Sequence, residues 1–263
     1  MTIPTPDIRE LHDLDDFADV VALFARIWQC PPEHSPVNVE QMRALSHCGN
    51  YVAGAYHQGR LAGASVAFLS APVGRGLHSH VTGALPGLGA GHALKLHQRA
   101  WALERGLDRI TWTYDPLVRR NAHFNLVKLG ALPEEYLPSF YGPMDDGINT
   151  GDETDRALAV WHLLEPRAEA AALGRPQHPD LPAATHYALR DHHGRPRPGT
   201  LTGGSLLVQL PADIETLRRT DPAAAKDWRL ALRDVLGTLL SDGASVIGFH
   251  DKSSYLLTRK PTA

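Results

Sequence analysis

The chain has 263 residues and a formal net charge of −3, with 43% hydrophobic and 21% charged residues, enough for a real core as one large or two small domains. The small negative charge gives no electrostatic case for nucleic acid or an anionic membrane as partner. Two cysteines, Cys30 and Cys48, and 15 histidines occur without Cys-x-x-Cys or His-Glu-x-x-His spacing, which predicts a reduced, cytoplasmic protein that holds no metal.

In chain order, the opening MTIPTPDIRE has neither the basic stretch nor the apolar core of a signal peptide. Asp15 or Asp16 can cap a helix running to about Gln29, with Phe17, Val20, Val21, Phe24 and Ile27 on one face. Pro31, Pro32 and Pro36 break it, and residues 39–46 read as a second short helix. Strands are expected at 51–56 and 60–69, joined at Gln58-Gly59. The next strand, 77–85, carries His78 and His80 on one face by period two, with Leu77, Ser79 and Val81 on the other. Either histidine is a candidate general base of near-neutral pKa; the alternative is a hydrogen-bonded structural pair.

Residues 86–107 follow, opening with Gly87, Gly89 and Gly91 and continuing with Ala93, Leu96, Ala100, Leu103 and Leu107 at helical steps, which predicts one buried face. A strand, a glycine turn and a helix N-terminus together make an anion site, because the backbone can approach closely and first-turn N–H groups favour phosphate oxygens. The alternative is a tight strand-to-helix turn. No Gly-Lys-Ser/Thr follows, and the glycine spacing is not that of a dinucleotide fingerprint.

Residues 109–114 form a β-rich run with Thr111 and Thr113 on one face and Trp112 and Tyr114 on the other. Asp115 then stands either at a ligand-binding strand end or in an Asx turn before Pro116. A helix beginning near Asn121 and ending at Lys128-Leu129-Gly130 comes next, followed by a strand, Tyr141-Gly142, a polar loop at 147–154 and a strand at 156–163. Tyr141 is a candidate proton donor or a buried structural tyrosine. Residues 165–184 hold four prolines and a small alanine helix and read as a linker. Beyond them come strands near 187–191 and 201–210, a helix begun by Pro211 with Asp213 and Glu215 at its positive end, a longer helix with Trp228, Ala231, Val235 and Leu239 inward, and two last strands. Arg229 and Arg233 share a face expected to be solvated.

This ordered set resembles the GNAT superfamily of acyl-CoA N-acyltransferases over about residues 15–164. The resemblance implies that Gly87, Leu88, Gly89, Ala90, Gly91 and His92 hold the pyrophosphate of coenzyme A and that Asn121 and Phe124 flank the pantetheine. It further implies that backbone N–H groups of Thr82, Gly83, Ala84 and Leu85 order the pantetheine and polarise the thioester carbonyl. Three departures matter. Pro86 stands where the family has Arg or Gln, so phosphate binding rests on backbone N–H groups, helped by His92 or Lys95. The strand lacks the glutamate often found there, which turns attention to His80, and Leu126 occupies the place of a proton-donating tyrosine, which turns it to Tyr141. The C-terminal half resembles the extension of a subgroup whose members acylate, and in cases succinylate, the amine of amino acids.

The expected fold is α/β: a GNAT-like mixed, twisted sheet with helices on both faces, plus a smaller α+β module, with domains at 1–164 and 185–263 and a linker at 165–184. The expected reaction is direct attack of a small amine, an amino acid, on acetyl-CoA or succinyl-CoA. The alternative is a non-catalytic acyl-CoA-binding regulatory protein. His78, Asp115, Arg119 and Arg156 are candidate substrate contacts, with Asp145 and Asp146 also near the expected cleft and Arg120 a further carboxylate partner. A homodimer is left open.

Overall fold

Alternation along the strands decides which side chains meet which helices. A computed structural model describes residues 5–142 and 152–259; Asp145, Asp146 and most of the polar loop at 147–154 lie outside the described residues. Contacts group the described residues into two units, 5–112 with 162–164, and 113–142 with 152–161 and 165–259.

In the first unit, β1 (Asp7–Glu10), β2 (Tyr51–His57), β3 (Arg60–Ser70), β4 (Gly76–Ala84) and the start of β5 (Arg109–Tyr114) lie side by side in that order. The first four pair antiparallel. β4 and β5 pair in parallel, from Gly76 opposite Arg109 to His78 opposite Thr111. Helix α1 (Leu14–Trp28) begins after Asp13, with Asp15 and Asp16 in its first turn, where the helix dipole favours them. Helix α2 (Val39–His47) starts from a capping box between Asn38 and Gln41. On one face of the sheet, Phe17, Val20 and Phe24 of α1 pack with Val52, Ala64, Val66 and Val81. Helix α3 (Ala90–Glu104) covers the other face, where Trp101 meets the Tyr51 ring edge-on at 5.4 Å.

Two expectations change here. The buried residues of α3 are Ala90, Leu94, Lys95, Gln98, Trp101 and Ala102; Ala93 and Leu96 are only partly covered and Ala100 is exposed. The sheet therefore receives a lysine and a glutamine where the sequence pointed to an apolar stripe. Strict period two also fails along β4. Val81 pairs with Val66 and Ser79 with Ala67, so His80 is an extra, bulged residue. Beyond the bulge the faces exchange: Ser79 and Thr82 both point toward α3, and Val81 joins the α1 core.

In the second unit, α4 (Arg119–His123) runs into a π-helical turn over Phe124–Leu129 that ends at Gly130. Gly130 has φ 73°, and a Cβ there would come within 2.9 Å of the Arg167 carbonyl oxygen, so only glycine fits. β6 (Leu132–Leu137) pairs antiparallel with β7 (Arg156–His162), and α5 (Pro166–Ala172) follows. A second sheet is built from β8 (His186–His192), β9 (Arg195–Pro198), β10 (Ser205–Gln209), β11 (Ser245–His250) and β12 (Ser254–Thr258), in the order β11-β12-β10-β8-β9. Between β10 and β11 come α6 (Ile214–Thr220), α7 (Pro222–Leu232), a π-helical turn at Arg233–Gly237 and α8 (Thr238–Ser241). Pro211 lies outside α6; Asp213 caps it by accepting from the N–H groups of Glu215 and Thr216.

Candidate functional site

The strand, turn and helix singled out in the sequence are continuous in space. β4 ends at Ala84, Gly87 and Gly89 adopt left-handed φ of 82° and 69°, and Gly89 is the N-cap of α3. A Cβ at either glycine would meet nothing within 4 Å, so the outer surface of the turn is open. The first turn of α3 carries no acidic residue, and its N-cap has no side-chain acceptor. The N–H groups of Ala90 and Gly91 therefore stand at the positive end of the helix dipole with no side-chain cap. Leu88, Gly89, His92, Ala93 and Leu96 border an open groove with Pro6 and Ile8.

Along β4, the N–H of Leu85 is committed to the Ala62 carbonyl. Alternation then turns the N–H groups of Thr82 and Ala84 to the opposite edge, where pairing with β5 has already ended. Gly83 points to the other side of the sheet, against Trp28 and Phe24. His78 and His80 do share a face, both against the Phe68 ring. They differ in surroundings. His78 is half-buried with Nδ1 3.0 Å from Thr111 Oγ1; burial, then His80 and Lys95, lowers its pKa to about 4. His80 is exposed, with Nε2 3.4 Å from the Pro36 carbonyl oxygen.

Lys95 does not reach the glycine turn. Its Nζ donates to Ser79 Oγ at 2.8 Å and Gln98 Oε1 at 3.3 Å, and lies 3.9 Å from the centroid of the Trp112 ring. Gln98 Nε2 donates to Ser65 Oγ at 3.2 Å, and Ser65 and Thr82 share a 2.7 Å hydrogen bond. Lys95 is 4% exposed, and burial lowers its pKa to about 7.

The remaining candidates belong to the second unit. Asp115 forms the Asx turn, with Oδ1 accepting the Leu117 N–H at 3.0 Å. Its two oxygens also accept from Arg229, and Oδ2 from Arg218 at 2.5 Å. Asp152 shares both arginines, while Arg233 pairs with Asp155 and Glu153. Burial opposes the Asp115 charge, yet Arg229 and Arg218 hold its carboxyl well below the usual range. Arg229 is thus a buried ion-pair residue, 1% exposed, not a solvated one. Arg156 is buried beside this cluster, its guanidinium 5.4 Å from the Tyr141 ring centre. Tyr141 is exposed, with its hydroxyl 2.9 Å from Thr113 Oγ1. Arg119 bonds instead to the Leu210 carbonyl and Arg120 to Glu215. Asn121 and Phe124 are half-buried, on α4 and at the start of the π-helical turn, and Leu126 is buried within that turn.

Sequence reasoning missed the Lys95–Ser79–Gln98–Ser65–Thr82 chain and the arginines at 218, 229 and 233. A signal for the first existed: Leu94, Gln98 and Trp101 also recur at helical steps, and Trp101 brings more apolar surface than any residue of the Ala93, Leu96, Ala100 stripe. Among the described residues, no group of three or more His, Cys, Asp or Glu could hold a metal ion, and no helix is long and apolar enough to cross a membrane.

No family model matches the chain, and no curated protein matches it in sequence. Solved structures similar to it include proteins described as acetyltransferases. A GNAT-family acetyltransferase from Streptococcus pneumoniae is 17% identical, with 59% of this chain and 97% of that chain covered and a TM-score of 0.48. The aminoglycoside 6'-N-acetyltransferase from Enterococcus faecium is 15% identical over 60% of this chain and 98% of its own, with a TM-score of 0.46. The protein yncA from Salmonella typhimurium, solved with its cofactor acetyl-CoA, is 14% identical over 62% and 96%, with a TM-score of 0.49.

Proposed function

We propose that the chain is an acyl-CoA-dependent N-acyltransferase of the GNAT superfamily. The observation that carries this reading is the run from β4 into α3: a strand edge that leaves its partner after His78, two left-handed glycines, and an uncapped helix N-terminus without acidic side chains. In this reading the diphosphate sits over Gly87–His92 on backbone N–H groups, which removes the need for a basic residue at Pro86. The N–H groups of Thr82 and Ala84 order the pantetheine and polarise the thioester carbonyl; Leu85, bonded to Ala62, contributes packing only.

The amine attacks the carbonyl carbon, the C–S bond breaks, and the thiolate leaves as coenzyme A once protonated. His80, exposed on the bulge, takes the amine proton directly or through water. His78, held neutral by burial, serves the acceptor side as a hydrogen-bonding group. Tyr141 is assigned as the proton donor to the thiolate, and Arg156 beside it as the partner of a small carboxylate, which favours a free amino acid as acceptor. Asp115 holds the local backbone through its arginines instead of meeting substrate. Succinyl-CoA and acetyl-CoA are both in scope as donors.

A second reading, an acyl-CoA-binding protein without turnover, is favoured by Leu126 at the expected tyrosine position and by the low pKa of His78. Calorimetric titration with coenzyme A tests the shared part of both. Saturable binding at one site supports them, and heat no different from buffer overturns both.

A further inference from the structure

The amine of Lys95, buried beneath the turn and strand described above, has no role in that reaction scheme. We propose that Lys95 is the positioning residue of the β4–β5 fork: its amine, set between Ser79 on one strand and the Trp112 ring on the other, fixes how far the strands part and so shapes the seat of the acyl donor. The inference rests on the acyltransferase reading for what enters the fork.

Location is the first argument. The parallel ladder stops at His78 and Thr111, and the next residues on the two strands are Ser79 and Trp112. Lys95 Nζ stands between these two, 2.8 Å from Ser79 Oγ and 3.9 Å from the Trp112 ring centroid. A side chain in that place keeps the strands from closing the ladder further.

Chemistry is the second. Among the described residues no carboxylate pairs with this amine, whose interactions are with Ser79, Gln98 and the Trp112 ring. A methionine would fill similar volume without the desolvation cost, so packing alone does not account for a lysine. The connection through Gln98 and Ser65 to Thr82 is the third argument. Ser79 and Thr82 lie on either side of the bulged His80 and Val81, and both are tied to the same amine. The fork, the bulge and the N–H of Thr82 therefore form one connected unit.

Burial also places the amine near pH 7, where its charge changes. The groups facing it are Ser65 from β3, Ser79 and the ionisable His78 from β4, Trp112 from β5, and Gln98 from its own helix. Tyr51 on β2 and His97 on α3 bond to each other at 3.0 Å beneath the same helix. Loss of the proton keeps a hydrogen bond to Ser79 but removes the attraction to the ring.

Lys95→Met decides the matter, read by acyl-CoA titration at pH 6, 7 and 8 and by the two Michaelis constants. The expected result is a folded protein whose affinity for acetyl-CoA falls roughly tenfold to 10²-fold, as for a misplaced binding group, with the amine KM unchanged and the pH dependence of donor binding flattened. Wild-type affinity and pH dependence in Lys95→Met would overturn the inference while leaving the acyltransferase reading intact. Failure of the wild type itself to bind acetyl-CoA would instead strike the functional reading. If Lys95→Met does not fold, Ser79→Ala removes the β4 anchor and must shift donor affinity in the same direction; no shift there also overturns the inference.

Discussion

Arg229 and Asp115 stand 114 positions apart in the chain and form a two-pronged pair, with both N–O distances 3.0 Å. Arg229 is 1% exposed and Asp115 9% exposed, so each charge depends on the other. Asp115→Ala leaves Arg229 and Arg218 without one of their two carboxylates and is expected to cost about 3–5 kcal/mol, the range for half of a broken buried pair. The folded-state pKa of Asp115 lies below its unfolded value. Its contribution is therefore complete above the unfolded pKa, about 3.9, and is lost as pH falls below that. Urea unfolding of wild type and Asp115→Ala at pH 7 and pH 3 checks both points, with a smaller difference expected at pH 3.

Ending the chain at Pro166 removes Arg218, Arg229 and Arg233 and strands Asp115, Asp152 and Asp155. The shortened protein is expected to aggregate or to lose cooperative unfolding. A soluble fragment with a sharp thermal transition would show that the second unit does not need its C-terminal arginines.

At Lys95 the pH slope has the same sign but the substitution is expected to stabilise. Its folded pKa, about 7, is below the unfolded value of about 10.4. Between these two the unfolded chain binds more protons, so stability rises with pH, at up to about 1.4 kcal/mol per unit. Lys95→Met removes this dependence, and the variant is expected to exceed the wild type most at or below pH 7, with the gap narrowing toward pH 10. Parallel stability curves for the two proteins would contradict the burial argument.

Gly91→Asp separates ligand electrostatics from folding. Gly91 is helical, without positive φ, and a Cβ there meets only Ala84 at 3.6 Å. An acidic residue in the first turn favours the helix by about 0.3–1 kcal/mol, yet it sets a negative charge where the diphosphate is assigned. The expected outcome is unchanged or raised thermal stability with coenzyme A affinity reduced at least about tenfold, 1.4 kcal/mol in binding. Equal affinity in both proteins would move the diphosphate elsewhere.

The two histidines are told apart by kinetics. His80→Ala is expected to lower turnover about 10²–10⁴-fold, the usual loss for a general base. His78→Ala is expected to act mainly on the acceptor KM. An acidic limb near pH 4 in the wild-type rate profile, removed by His78→Ala, would transfer the base role to His78.

Much of the first unit was legible because burial there follows simple periods. α1 shows Phe17, Val20 and Phe24 at helical steps, the hairpin has Gln58-Gly59, and the glycines precede a helix as read. The strand β1 was not, since Asp7–Glu10 contains one apolar residue and is held mainly by its ladder to β2. The orientation of α3 differs from the sequence expectation because Leu94 and Trp101 form a competing set to Ala93, Leu96 and Ala100 at the same helical steps, and because a lysine is expected to face water. The bulge at His80 leaves no mark in residue type. Arg229 and Arg233 looked solvated because their partners, Asp115, Asp152 and Asp155, are remote in sequence. Local pattern locates elements; long-range ion pairs have no local pattern.

The most direct test of the account is amine-dependent release of thiol from acetyl-CoA and succinyl-CoA, measured with free amino acids, polyamines and lysine-bearing peptides in turn. The account predicts thiol release with at least one amino acid, lowered at least about tenfold by Gly91→Asp at subsaturating donor and strongly reduced by His80→Ala. Tight coenzyme A binding with no thiol release for any amine would contradict it and leave a binding protein in place of an enzyme.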